Sequence, residues 1–166
     1  MKIISIILTV LLMIVGFMPL QVKAYYSCQQ YVGSRDYNLE NQLIAEYRAY
    51  RQWRGLYVPS VYWRFNNGAG TRLQYMLERN DISHYNWESN LAGCGITPWR
   101  GEVISLGMSD AKQIFHAWHN SPSHRDAIMY SGVRYFGVRC ANYNKNVWSS
   151  AAGFSTNKVC IMVLSD

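Results

Sequence analysis

The chain has 166 residues, 49% of them hydrophobic and 16% charged, with a formal net charge of +6. That is enough chain for one domain with its own apolar core, and too apolar for a disordered polymer. The basic residues are eleven Arg and five Lys, scattered as at Arg48, Arg51, Arg54, Arg64 and Arg72, which reads as a charged surface and excludes a nucleic-acid module.

Lys2 opens the chain with a positive charge. An almost wholly apolar run follows over residues 3–16 and continues to Leu20, and Val22-Lys23-Ala24 then places small residues at the −3 and −1 positions of a cleavage site. This is the pattern of a secretory signal peptide over residues 1–24. The rival reading is an uncleaved anchor, since the run approaches spanning length; the Val-x-Ala ending favours cleavage. Loss of those 24 residues takes Lys2 and Lys23 with it, leaving 142 residues at a formal charge of +4. These divide into an N-terminal extension over 25–37 and a domain over 38–166.

Asn38 is a candidate cap for a helix that begins at Leu39 and places Leu39, Leu43, Tyr47 and Tyr50 on one face. Arg48, Arg51 and Arg54 then look outward, and Gly55 is a natural stop. Asn66-Asn67-Gly68-Ala69-Gly70 reads as a turn before a helix over 71–79, whose apolar residues are Leu73, Met76 and Leu77 and which Asn80-Asp81 ends. Residues 83–100 read as a long loop, a place where function often sits. A short strand follows over 102–106.

Asp110 with Gln113 fits a capping box for a helix with the apolar stripe Ala111, Ile114, Phe115 and Trp118. Ser121 suits the N-cap of a next helix, with Pro122 in its first position and its end near Met129. After Gly132 the pattern turns to strands over 133–141, 147–154 and 158–164, with a hairpin-like connection at 142–146. Helices first and strands last predict an α+β fold with an antiparallel sheet.

Four Cys in an exported chain suggest two disulfides among Cys28, Cys94, Cys140 and Cys160, with three possible pairings. Cys140 and Cys160 share the terminal sheet region, which favours joining them and leaves Cys28 to tie the N-terminus to Cys94. No C-x-x-C is present to suggest a thiolate metal site.

The chemistry gathers near residues 118–124. With Ser121 as N-cap, His124 takes the third helical position, where the positive end of the helix dipole disfavours imidazolium. A neutral imidazole suits a metal ligand or a general base; capping or packing the first turn is the plainer alternative. His116 and His119 lie three apart on one helix but lack an H-E-x-x-H context, so exposed or core-edge roles are favoured. Ser121 lacks the G-x-S-x-G context of a serine nucleophile.

Ala111-x-x-x-Phe115-x-x-Trp118-x-x-Ser121-Pro122-x-His124-Arg125 resembles the second half of a CAP domain, the SCP domain of cysteine-rich secretory, antigen 5 and pathogenesis-related proteins. Leu77-x-x-x-x-x-Ser83-His84 resembles that superfamily's first histidine motif, and Gly101-Glu102 the start of its Gly-Glu-Asn motif. Tyr135-Phe136-Gly137-Val138 and the segment 147–154 resemble its closing strands. The likeness covers about 38–154.

The resemblance implies a three-layer α-β-α sandwich with a central antiparallel sheet, and a cleft holding a divalent metal such as zinc. The positions carried over as metal ligands are His84, Glu102 and His124, with Ser121 and Trp118 lining the cleft. Ser121 stands where the family's second Glu would be, as in the short form found in bacterial members, and Val103 replaces the Asn. The resemblance implies no agreed enzymatic activity. Its first expectation is a secreted monomeric binding protein whose cleft holds a metal, a lipid ligand or an extracellular partner protein. A metal-dependent hydrolase using the same three residues is the second, and a structural or interaction domain with a vestigial cleft the third.

Overall fold

The computed structural model of the protein describes Cys28, Tyr31 and residues 33–166. The expected signal peptide lies outside the described residues. Ten elements follow in order: β1 (Ser34–Arg35), α1 (Tyr37–Trp53), β2 (Ser60–Val61), α2 (Trp63–Arg79), α3 (Trp87–Gly93), β3 (Gly101–Leu106), α4 (Ala111–Asn120), α5 (Pro122–Met129), β4 (Tyr135–Ser149) and β5 (Phe154–Ser165).

The sheet runs β1-β4-β5-β3, with antiparallel pairing along that path and a short parallel bridge from β2 to β4. Side chains alternate across a strand, and here each face carries its own core. Cys160, Met162 and Leu164 of β5 join Phe136, Val138 and Cys140 of β4 against Leu43, Tyr47, Ile114, Phe115 and Trp118 of α1 and α4. Val159, Ile161 and Val163 turn the other way, against Phe65, Ala69, Leu73 and Met76 of α2 and Leu91 of α3. The result is the expected α+β, three-layer α-β-α sandwich around a central antiparallel sheet. The pairs Cys28–Cys94 and Cys140–Cys160 are both formed.

Several local expectations are corrected. The first helix starts at Tyr37, because Asp36 supplies the cap and accepts from Leu39 N at 3.0 Å. Residues 66–70 are not a turn but the middle of α2. Each interior glycine costs a helix about 1 kcal/mol, yet a Cβ on Gly68 would stand 2.5 Å from Ile96 Cδ1. Packing overrides propensity there. The stretch 83–100 is not loop throughout, since it contains α3. The three closing strands are two: residues 142–146 remain in β4 as a register irregularity, and the turn lies between Ser149 and Phe154.

Arg51 and Arg72 are the largest departures from the surface reading. Both are fully buried. Arg51 Nη1 donates to Ile128 O at 2.8 Å and Tyr130 O at 3.0 Å, and Nε to Tyr57 O at 2.8 Å. A cation thus satisfies carbonyls at the C-terminal end of α5, where the helix dipole favours it.

Candidate functional site

The site forms along β3, which pairs with β5 on one side only. Glu102 is its second residue and its carboxylate is wholly buried. Arg72 reaches it from α2. Nε donates to Oε2 at 2.5 Å and Nη2 to Oε1 at 3.2 Å, a two-pronged ion pair of the geometry that suits guanidinium and carboxylate. The other donors are also used: Nη1 goes to Asn90 Oδ1 at 2.6 Å and Tyr85 O at 3.1 Å, and Nη2 to Ser83 O at 2.8 Å. Arg72 therefore spends all five N–H groups, three of them on α3 and the segment that carries His84.

Those contacts fix His84. Its Nδ1 lies 3.0 Å from Glu102 Oε1, so a neutral ring with its proton there leaves Nε2 as a free lone pair. The segment is also anchored to β4: Ile82 N donates to Trp148 O at 2.8 Å, and Ser149 Oγ to Ile82 O at 2.8 Å. His84 itself is 43% exposed at the side chain.

His124 comes from the opposite layer. Asp110 caps α4 by accepting from Gln113 N at 2.8 Å, Ser121 closes α4, and Pro122 opens α5 in its first positions. Ser121 occupies the N-cap as expected, but its side chain makes no capping bond. His124 is then the third residue of α5, and its ring centre lies 5.9 Å from that of His84. Burial, followed by the neighbouring His84, pushes the His124 imidazole below its ordinary 6.5. Burial raises the Glu102 carboxyl, but Arg72 and His84 outweigh it and hold the group below its ordinary 4.5.

The structure brings His84 against Glu102 on one side and beside His124 on the other. Both oxygens of Glu102 face Arg72 or His84. Among the described residues no three His, Cys, Asp or Glu side chains gather into one ligand group. The two imidazoles could hold a metal, and Glu102 Oε1 lies behind Nδ1 of His84, the position from which a carboxylate can orient a histidine ring.

Two hollows meet at His124. One, of about 200 Å³, is bounded by His84, Ser83, Ile82, Ser149 and Ala152. The other, of about 290 Å³, includes Trp118 and Ser121, the two expected lining residues. Trp118 is buried and donates Nε1–H to Ile104 O at 3.0 Å, tying α4 to β3. His116 and His119 stand away from the site: His116 meets Asn120, and His119 meets Tyr50. Val103, in the place of the family's Asn, points into the α1–α4 core.

Sequence reasoning missed Arg72 and Asn90. A trace of Arg72 existed. Ala69, Arg72, Leu73 and Met76 are spaced i, i+3, i+4 and i+7, so the arginine falls inside the buried stripe of α2. An arginine there calls for a buried acid. Asn90 gave no such trace, because its helix was not foreseen.

The fold is similar to that of an outer surface protein of Borrelia burgdorferi, with a TM-score of 0.60 at 14% identity over 80% of this chain and 98% of that one. A cysteine-rich secretory protein of Staphylococcus aureus gives 0.57 at 14% identity over 78% of this chain and 39% of that one. An extracellular SCP-domain protein of Bacillus anthracis gives 0.59 at 16% identity over 78% and 41%. The chain thus spans about two fifths of the latter two. Identities this low establish a shared fold alone. No curated protein matches the sequence. Among the described residues no helix is long and apolar enough to cross a membrane. The model of the cysteine-rich secretory protein family, CAP, matches residues 42–159, a span that holds His84, Glu102 and His124, and the chain belongs to that family.

Proposed function

We propose that the chain is an exported binding domain whose ligand site is the cleft between His84 and His124. Its first ligand is a divalent metal of the zinc type, held by the two imidazoles. The observation that supports this most is the ladder Arg72–Glu102–His84, with Glu102 Oε1 3.0 Å from His84 Nδ1. It orients one ring, and the lowered affinity of His124 for a proton keeps the other neutral. Imidazole must be neutral to ligate.

Binding is favoured over hydrolysis for two reasons. Zinc hydrolases use three protein ligands and keep a fourth position open, and this pair falls one short. A general base needs a carboxylate or imidazole free to take a proton, whereas Glu102 is held below its ordinary value and committed to Arg72, and in this reading both imidazoles are taken up by the metal. A bound metal would offer its remaining positions to water or to donor atoms of a partner. The apolar secretory pattern of residues 1–24 supports export.

Zinc titration by calorimetry tests the reading. The protein is expected to take up one equivalent, and His84→Ala and His124→Ala each to lose it. Uptake unchanged in both variants would overturn the proposal.

A further inference from the structure

Arg35 of β1 and Arg139 of β4 lie toward the edge of the sheet opposite β3. Among the described residues, Glu40 of α1 is the one carboxylate that either of them meets. Arg35 takes it in a two-pronged pair, with Nε donating to Oε1 at 3.1 Å and Nη2 to Oε2 at 2.5 Å. Cys140 N donates to Oε1 as well, at 3.0 Å. Arg139 Nη1 is left 3.6 Å from Oε2, too far for a hydrogen bond. Its guanidinium gives one hydrogen bond, to Val138 O at 2.9 Å, although the side chain is only 15% exposed. Burial holds Arg139 below its ordinary proton affinity; Glu40 works against that shift and Arg35 adds to it. Two cations thus share one anion, and the surplus charge is sheltered from water.

The two guanidiniums border a hollow of about 20 Å³ that Tyr31, Asn66, Asn67 and Gly70 complete. That is room for about one water-sized group. The hollow shares no residue with the two at His124. No carboxylate lines it. Asn66 spends its Oδ1 on Val138 N at 3.0 Å, which leaves its Nδ2 to donate. Among the described residues the Asn67 amide makes no hydrogen bond. The lining is therefore rich in N–H donors and carries one positive charge more than its carboxylate neutralises. A water molecule would answer the donors and leave the charge. A small anion answers both.

We infer that this hollow is an anion site that takes one monovalent ion of halide size, such as chloride. Arg139 and the Asn66 and Asn67 amides hold the ion, with the Arg35 charge beside them, and it ties β4 to α2. The site is independent of the metal reading of the cleft.

Chlorine-35 NMR line broadening with the disulfide-bonded protein tests this, with the side-chain amide signals of Asn66 and Asn67 followed in the same titration. Wild type is expected to broaden the chloride line and to shift those amides to saturation. Bromide should displace chloride; sulfate at equal ionic strength should not, since it exceeds the room. Arg139→Gln should weaken chloride at least tenfold. Asn67→Ala should weaken it about tenfold, the worth of a hydrogen bond to a charged group. That change sits inside α2, where alanine is the better helix former, so the variant is expected to unfold in urea no earlier than wild type. Arg134→Gln removes an equal charge from an exposed side chain bonded to Ser131 O and Val133 O, and should leave chloride binding unchanged. Wild type that does not broaden the line, amides that ignore chloride, or sulfate that competes as well as bromide would overturn the inference. So would a loss on Arg134→Gln as large as that on Arg139→Gln, which would mark a diffuse effect of surface charge.

Discussion

Arg72 holds both carboxylate oxygens of Glu102, at 2.5 and 3.2 Å, with both side chains fully removed from solvent. Breaking a buried pair from one side leaves an uncompensated charge and costs about 3–5 kcal/mol. Glu102→Gln is therefore expected to lose about that much in urea unfolding. His84→Ala, which leaves the ion pair intact and alters a half-exposed ring, should lose less than about 1 kcal/mol. Equal losses would show that the pair is not the structural centre of the site.

Acid should weaken the fold in two separate windows. His124 has a lowered folded value, so the unfolded chain binds its proton more readily, and stability falls as pH drops below the ordinary 6.5. Glu102 also has a lowered folded value, so its contribution is present above the ordinary 4.5 and is lost only below that. His124→Gln should flatten the stability profile between about pH 7 and 5 and leave the more acidic limb in place. Unfolding curves across that range would reveal a profile with the opposite slope, if the account is wrong.

Gly137 sets how closely β4 approaches α2. A Cβ there would lie 2.2 Å from the carbonyl carbon of Phe65 and 2.3 Å from Asn66 N, and backbone cannot swing aside. Gly137→Ala is expected to cost about 3 kcal/mol, the upper range of overpacking. Gly153 has a φ of +74° but nothing within 4 Å of a Cβ, so Gly153→Ala should cost only about 1–2 kcal/mol of backbone strain. Chemical denaturation of the two variants side by side separates crowding from strain.

Arg51 links α1 to the end of the helix that carries His124. Arg51→Met keeps much of the packing but removes the donors to Ile128 O, Tyr130 O and Tyr57 O. Hydrogen bonds from a charged donor are worth about 1.5–3 kcal/mol each, so a loss of at least about 2 kcal/mol is expected. Faster amide exchange should follow in the last turn of α5.

The layers were legible because apolar spacing changes from helical to alternating after Gly132, and because Asp110, Ser121-Pro122 and Gly55 carry their local meaning plainly. The sequence singled out His84, Glu102 and His124, and His84 does lie against Glu102 and beside His124. Two things were not legible. Glycines at 68 and 70 speak for a turn in isolation, whereas Leu91 and Ile96 pack against Gly68 within the helix. Arg72 speaks for a surface by type, and only its buried partner Glu102, 30 residues away, explains its place. Both depend on contacts distant in sequence. For the site, Glu102 reads as a ligand by residue type, and in the fold its two oxygens meet Arg72 and His84.

Nitrogen-15 NMR of the two imidazoles during zinc addition measures that assignment directly. One equivalent of zinc should shift Nε2 of His84 and one ring nitrogen of His124, while Nδ1 of His84 keeps its proton toward Glu102. Rings that do not respond, or loss of that Nδ1 proton as the metal binds, would contradict the account.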